Sequence, residues 1–240
     1  MKRLIVIPTY NEVENVKMII PRIFKYISNA SILIVDDGSP DGTAEVCKDM
    51  QSNYPNLFVE KRLRKSGLGT AYRFGFNWGL EKDFTDFVLM DADLSHRVRD
   101  LSVMLSKREI DPSISLVIGS RWTKGGKTEN WPKQRELLSR TANLYVRLLL
   151  GMGVKDNTAG FRVYSSEILR EIHLEEIKSE GYSFHIEMTR SVRKLRGKII
   201  EVPITFRERE SGVSKMSGAI VREAMLLVTV WGLKRFLRLK

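Results

Sequence analysis

Asp91 and Asp93 stand one residue apart, directly after the apolar run Phe87-Val88-Leu89-Met90, in a chain of 240 residues. Residues two apart on extended backbone point the same way, so both carboxylates can face one ion or one ligand. Hard cations such as Mg2+ or Mn2+ commonly take one or two carboxylates and fill the rest of their shell with phosphate oxygens. An isolated Asp-x-Asp is often only a surface turn. Here a second acidic pair, Asp36-Asp37, ends another apolar run, Ile32-Leu33-Ile34-Val35. The chain has no Walker loop and no G-x-G-x-x-G; Gly67 and Gly69 in Lys65-Ser66-Gly67-Leu68-Gly69-Thr70 are too few and wrongly spaced. A pyrophosphate would therefore be held through a cation rather than in a backbone cradle. His96, His173 and His185 are scattered without ligand spacing, which argues against zinc.

Charge divides the chain into two regions. The formal net charge is +11, yet residues 1–100 carry 14 basic and 14 acidic side chains, and residues 101–240 carry 26 and 15. A neutral first half and a basic second half suggest two ligand surfaces, the second suited to a phosphate, a nucleic acid or an acidic membrane. A nucleic-acid module is the rival from another class. It predicts stacking or base-reading motifs, none of which is recognisable, and leaves the acidic clusters unexplained, so no nucleic-acid partner is expected.

The elements that must position these residues follow from the apolar pattern. Leu4–Ile7, Ile32–Val35, Phe87–Met90 and Leu116–Ile118 are short continuous apolar runs, with Leu57–Val59 a weaker fifth; such runs suit strands buried on both faces. Between them lie helical stripes: Val13, Val16, Ile19, Ile20, Ile23 and Ile27; then Ala71, Phe74 and Trp78; then Leu101, Met104 and Leu105. The alternation predicts a doubly wound α/β sheet, in which ligands bind outside the carboxyl ends of the strands. Polar and acidic loops follow three of these strands, so a site is expected at that edge. Ile199–Phe206 reads as one late strand, and no repeat or linker separates a second globular unit. Residues 1–218 are expected to form the catalytic domain and 219–240 an amphipathic helix with a basic end, suited to a membrane surface, the core or a partner. Cys47, the single cysteine, excludes an internal disulfide and reads as a small core residue in a reducing compartment. No run is long enough to span a bilayer, and the N-terminus does not read as a signal peptide.

Four motifs in order, Pro8-Thr9-Tyr10-Asn11-Glu12, Val35–Thr43, Gly67–Tyr72 and Asp91–His96, resemble the inverting glycosyltransferases of family 2, with the GT-A fold. Gly119-Ser120-Arg121, Trp131-Pro132 with Arg135 and Ser139-Arg140, Gly160-Phe161-Arg162 and Gly212-Val213-Ser214-Lys215 narrow the resemblance to the dolichyl-phosphate mannose synthase group. It covers residues 4–216. The resemblance implies transfer of mannose from GDP-mannose to dolichyl or another polyprenyl phosphate; the same chemistry with UDP-glucose is the nearer alternative. By likeness, Pro8, Tyr10, Glu12, Val35 and Asp37 would hold the nucleotide. Asp91, Ala92 and Asp93 would meet the metal, Mg2+ or Mn2+, and the donor pyrophosphate, with Ser95 at a third position beside them. Arg121, Arg135 and Ser139 would receive the acceptor phosphate, and Arg209 and Lys215 would close over the donor or acceptor phosphates. Arg97-Val98-Arg99 replaces a segment where relatives usually place proline.

Two physical points agree with these roles. The acceptor candidates all lie in the basic half, and the arginine fork suits phosphate. A phosphate monoester is largely dianionic at neutral pH, so this nucleophile needs no general base. The Q-x-x-R-W signature of many polysaccharide synthases is missing. Many relatives carry transmembrane helices after this domain; this chain is expected to meet its lipid peripherally, on the cytoplasmic side of a membrane. Its C-terminal helix, its basic surface or a small membrane-anchoring subunit would make the contact.

Overall fold

The computed structural model describes residues 1–208 and 218–237. Its centre is a seven-stranded sheet of β1 (Arg3–Thr9), β2 (Ala30–Asp36), β3 (Leu57–Lys61), β4 (Asp86–Leu89), β5 (Ile114–Ser120), β7 (Arg162–Ser165) and β8 (Lys198–Pro203). The spatial order is β3-β2-β1-β4-β7-β5-β8, and β7 alone runs against its neighbours. The expected runs are strands for the reason given by their sequence: Leu4 to Ile7 are wholly buried, and successive residues serve opposite faces. Ile5 and Ile7 join one cluster with Ile19, Ile20 and Ile23 of α1 (Val13–Tyr26) and Met104 of α4 (Val98–Ile110). Leu4 and Val6 join another with Tyr72 and Phe76 of α3 (Leu68–Glu81), Leu169 of α6 (Ser166–Glu171), and Phe184 and Met188 of α7 (Gly181–Lys194). This is the mainly parallel, doubly wound architecture expected.

Three details differ. The strand β7 has only four residues and opens on Arg162, so no apolar run announces it; its reversal nevertheless matters. Arg162 lies opposite Leu89 and Ile118, so the start of β7 adjoins the ends of β4 and β5. The segment before it, residues 156–161, is thereby delivered to the polar edge. Second, the late strand divides. Pairing with β5 stops at Pro203, which has no N–H for the ladder, and Thr205–Arg207 (β9) pairs instead with Lys127–Glu129 (β6).

Third, α3 buries Ala71, Tyr72, Gly75, Phe76 and Gly79, while Phe74 is exposed. Hydrophobicity missed this face because two of its members are glycines. A Cβ on Gly75 would lie 2.5 Å from Val6 Cγ1, and one on Gly79 2.4 Å from Phe87 Cε1, so their absence lets the helix settle on the sheet. Cys47, in α2 (Thr43–Met50), is buried as expected, and burial pushes its thiol up to about 12.

The helix α8 (Gly218–Phe236) packs on α5 (Lys133–Leu150) and α7, where Val228 meets Val146, Leu150 and Ile186. Its opposite side exposes Leu226, Val230, Leu233 and Phe236, so the helix serves the core and an outward apolar face together. Among the described residues no helix is long and apolar enough to cross a membrane.

Candidate active site

The two acids that end β2 have different surroundings. Asp36 is wholly buried, accepts hydrogen bonds from Thr9 Oγ1 and the Ser39 N–H, both at 2.9 Å, and so braces the turn. Asp37 points the other way, where Arg62 Nε donates to it at 2.5 Å and the Ser66 N–H at 3.3 Å. Gly38, with φ +71°, makes the turn between them and the following helix. Lys65 Nζ lies 4.4 Å from the centre of the Tyr10 ring, and Glu12 Oε2 accepts from Asn15 at 2.6 Å. Pro8 lies opposite Val35 in the β1–β2 ladder, and the Val35 side chain is fully buried.

The loop after β4 is folded by its own polar atoms. Leu94 takes φ +62°, and Asp93 Oδ1 accepts the Ser95 N–H at 3.1 Å. Asp91 donates its N–H to His96 Nδ1 at 3.2 Å and accepts from the Tyr72 hydroxyl at 3.4 Å. Burial lowers the His96 pKa despite the opposing charges of Asp91 and Asp93, so the imidazole is neutral. With Nδ1 accepting, the proton sits on Nε2, 3.9 Å from Asp91 Oδ2. Burial and then the Asp91 charge raise the Tyr72 phenol, which stays a donor. Arg97, with φ −78°, is extended and opens α4; its φ is one that proline would also adopt.

This loop fits a hard cation. Asp91 and Asp93 supply carboxylate oxygens one residue apart, Ala92 is buried between them, and Ser95 Oγ is buried with no hydrogen-bond partner among the described residues. No group of three or more His, Cys, Asp or Glu converges among the described residues, so the remaining ligands would be phosphate or water.

Across the cleft, Arg121 follows β5 and is 5% exposed. Its Nε and Nη2 donate to Asp156 at 2.7 and 2.6 Å, and Nη2 also reaches Thr158 Oγ1 at 2.9 Å. Burial alone would weaken the Arg121 cation, but the charge and hydrogen bonds of the fully buried Asp156 outweigh it. Asn143 of α5 ties this pair to the helix: it donates to the Ser139 carbonyl at 2.9 Å and accepts the Asn157 N–H at 2.7 Å. Glu201 of β8 accepts the N–H groups of Lys155 and Asp156 at 2.9 and 3.0 Å. Arg162 pins the same loop, donating to the carbonyls of Asn157 and Ala159 at 2.7 and 2.6 Å.

Arg135, in the first turn of α5, stacks over Trp131 at 4.2 Å and donates through Nη1 to both oxygens of Glu208, at 2.6 and 2.7 Å. Arg121, Arg135 and Ser139 all line one cavity of about 320 Å³. Beyond them its walls are Leu138, Ala142 and Val146 of α5, Ile186 of α7 and Val228 of α8. The result is a largely apolar groove whose lining also includes two arginines and the hydroxyl residues Ser139 and Thr158. An aromatic column links it to the acidic loop. His96 stacks on Phe161 at 4.6 Å and meets Phe206 edge-on at 5.3 Å, and Phe206 meets Trp131 at 5.3 Å.

The structure thus gathers Asp91, Asp93 and Ser95 on one side and Arg121, Arg135 and Ser139 on the other. Arg209 and Lys215 lie outside the described residues. Sequence reading missed Asn143, Asp156, Thr158, Glu201 and Glu208. The polar run Asp156-Asn157-Thr158 was the one available signal; the others join only through the fold.

The sequence model of glycosyl transferase family 2 matches residues 4–173. The chain is 46% identical to a polyprenol monophosphomannose synthase of Mycolicibacterium smegmatis over 234 residues, 97% of this chain and 88% of the relative. It is also 46% identical to an undecaprenyl-phosphate mannosyltransferase of Micrococcus luteus over 233 residues, 97% of this chain and 95% of the relative. Among solved structures, it resembles glucosyl-3-phosphoglycerate synthase of Mycobacterium tuberculosis bound to Mn2+, UDP-glucose and phosphoglyceric acid, with a TM-score of 0.72 and 18% identity over 96% of this chain and 79% of that one. It also resembles a mannosyltransferase of Pyrobaculum calidifontis bound to GDP-mannose and Mn2+, with a TM-score of 0.61 and 16% identity over 99% of this chain and 64% of that one.

Proposed function

This chain belongs to glycosyl transferase family 2, and we propose that it transfers mannose from GDP-mannose to a polyprenyl phosphate with inversion. The observation that carries the acceptor half is the groove itself. Its apolar walls suit an isoprenoid chain, and Arg121, Arg135 and Ser139 in the same lining would receive the phosphate at the end of that chain. Two close relatives, both named for mannose transfer to polyprenyl phosphates, support the same reading.

Asp91 and Asp93 would hold a divalent cation, which when bound supplies charge stabilisation to the departing diphosphate. Tyr72 and His96 keep the Asp91 carboxylate and backbone in place. Tyr10, Glu12 and Asp37 form the rim suited to the nucleoside, where Pro8 and buried Val35 contribute shape and backbone. Arg121 and Arg135 orient an acceptor oxygen towards the anomeric carbon. That oxygen forms the new bond to carbon as the bond to the diphosphate oxygen breaks, and the electron pair leaves with the nucleoside diphosphate. The phosphate arrives largely dianionic, so no side chain is required to remove a proton. Catalysis is then alignment and charge stabilisation. Arg209 and Lys215 remain candidates for closing over the phosphates. The exposed apolar side of α8 suits peripheral contact with the membrane that carries the lipid.

The test is a transfer assay with undecaprenyl phosphate, pairing GDP-mannose, UDP-glucose and UDP-GlcNAc, each with Mn2+, Mg2+ or chelator. Mannosyl phosphoryl lipid formed only from GDP-mannose and only with a divalent ion is the expected result. Glucose transfer from UDP-glucose would overturn the donor assignment, and transfer undiminished by chelation would overturn the metal assignment.

A further inference from the structure

One buried titratable group has no part in the reaction described so far. His185 of α7 is 3% exposed, and its neighbour Ile186 lines the acceptor groove. Its carbonyl accepts from Arg162 Nη1 at 3.0 Å and from Thr189 Oγ1 at 2.8 Å, which fixes the turn of helix that bears it. The ring is not tied down in this way. No side-chain hydrogen bond of His185 is found among the described residues, and Nδ1 is fully enclosed. A buried polar group in that state calls for an explanation.

Gly160 shows what the ring faces. The three atoms nearest to a Cβ built on it would be His185 Nε2 at 3.4 Å, Asp91 Oδ2 at 3.7 Å and His185 Cε1 at 3.9 Å. The glycine therefore leaves a methyl-sized gap that the imidazole and the Asp91 carboxylate both border. Two residues earlier, Thr158 accepts from Arg121 at 2.9 Å, so this short loop runs from the acceptor arginine to the acidic loop. Burial first, and then the Arg162 and Arg121 cations, hold the His185 pKa well below its ordinary value, so the ring is neutral. An orphaned N–H is the costlier defect, so the proton belongs on Nε2, at the gap, and not on enclosed Nδ1. The same feature argues against a cation ligand, because a metal-bound imidazole almost always donates its other N–H to a partner.

We propose that His185 donates its Nε2–H to a hydroxyl of the sugar being transferred and so helps to select that sugar. The inference rests on the proposed function, in which a cation at Asp91 meets the donor diphosphate and Arg121 meets the acceptor phosphate. The sugar must then lie between the two, where the gap beside Gly160 opens. The imidazole passes no proton and makes no bond to carbon. Its contribution is selectivity, since a site built to hydrogen-bond a hydroxyl rejects ligands that cannot supply one.

The experiment measures binding with Mn2+ and without acceptor, for GDP-mannose and for GDP, or for whichever nucleotide sugar the transfer assay selects and its diphosphate. Wild type is compared with His185→Leu, His185→Gln and Gly160→Ala. His185→Leu should weaken the nucleotide sugar about tenfold and leave the diphosphate unchanged, the scale for one lost hydrogen bond. His185→Gln, whose amide can place an N–H near the position of Nε2, should stay within about threefold of wild type. Gly160→Ala adds a methyl at ordinary contact distances, so it should fold and show the same selective loss as His185→Leu. Unchanged nucleotide-sugar affinity in folded His185→Leu and Gly160→Ala would overturn the assignment. So would an equal loss for the diphosphate, which would place the imidazole with the cation instead. A wild type that binds the nucleotide sugar but transfers nothing to polyprenyl phosphate would defeat the proposed function, while the binding comparison would still decide the role of His185.

Discussion

Along the donor edge, Asp37, Asp91 and Asp93 all lie within four residues of a strand end, and the loop that carries Asp91 and Asp93 is shaped by bonds between close neighbours, Asp91 with His96 and Asp93 with Ser95. On the acceptor side, Arg121 follows β5, Arg135 and Ser139 come from α5, and the partners Asp156 and Glu208 arrive on the loop that leads into β7 and from the end of β9. The loop after β4 thus folds largely on itself, whereas the acceptor side is made by side chains that meet only when the whole domain closes. A loop that awaits a cation needs little more than two carboxylates held apart. A pair of arginines that awaits a phosphate must be neutralised beforehand if one of them is to be buried at all.

The sharpest way to break this contrast is at the acidic loop. Replacing Asp91 by Ala or Asp93 by Asn should lower kcat by about a thousandfold, the scale for lost charge stabilisation at a departing group. Unfolding in urea should change far less than turnover does, by about 1 kcal/mol. Near-normal turnover would remove the metal assignment. On the opposite side the order reverses: Asp156→Ala strands the buried Arg121 cation and should cost about 3–5 kcal/mol in urea unfolding. A loss below about 1 kcal/mol would show that the pair is not the structural anchor described.

Arg135→Ala separates binding from folding, since its partner Glu208 is partly exposed. The acceptor KM should rise about tenfold or more, as expected for a lost charge-assisted contact, with donor affinity unchanged. Weakened donor binding with normal acceptor use would exchange the two halves. Gly75→Ala, which places a methyl against Val6, should cost about 1–3 kcal/mol by overpacking and affect both substrates alike. The smallest effect is expected from Leu226→Glu with Leu233→Glu. Activity on vesicles carrying undecaprenyl phosphate should fall severalfold, while activity on a short soluble acceptor holds; equal losses would remove the membrane role of α8.

The donor edge was largely legible because its signals are local. Apolar runs marked β1, β2, β4 and β5, and the acids directly after them fell where a parallel sheet must present them. The acceptor residues were named through family likeness, but nothing in residues 121 to 139 reveals the groove that joins them. Its walls come from three helices, and its anchors, buried Asn143 and Asp156 and half-buried Glu201, are ordinary polar residues until the fold brings them together. The strand β7 escaped for a related reason: Arg162 opens it, and a wholly buried arginine is legible only once the carbonyls that surround it are known. On α3 the misreading was of another kind, since glycines carry no hydrophobic signal although they define the face that meets the sheet.

The placement of α8 has a consequence for where the reaction takes place. One side of the helix closes the groove through Val228, and the other bears Leu226, Leu233 and Phe236 towards the surroundings. If the groove takes the lipid as proposed, a single rod is both its inner lining and its outer skid. Settling onto a bilayer would press the slot against the layer from which its occupant must slide, sideways, without passing through water. On that reading the nucleotide sugar would approach from the aqueous side, and the two reactants would not queue at the same doorway.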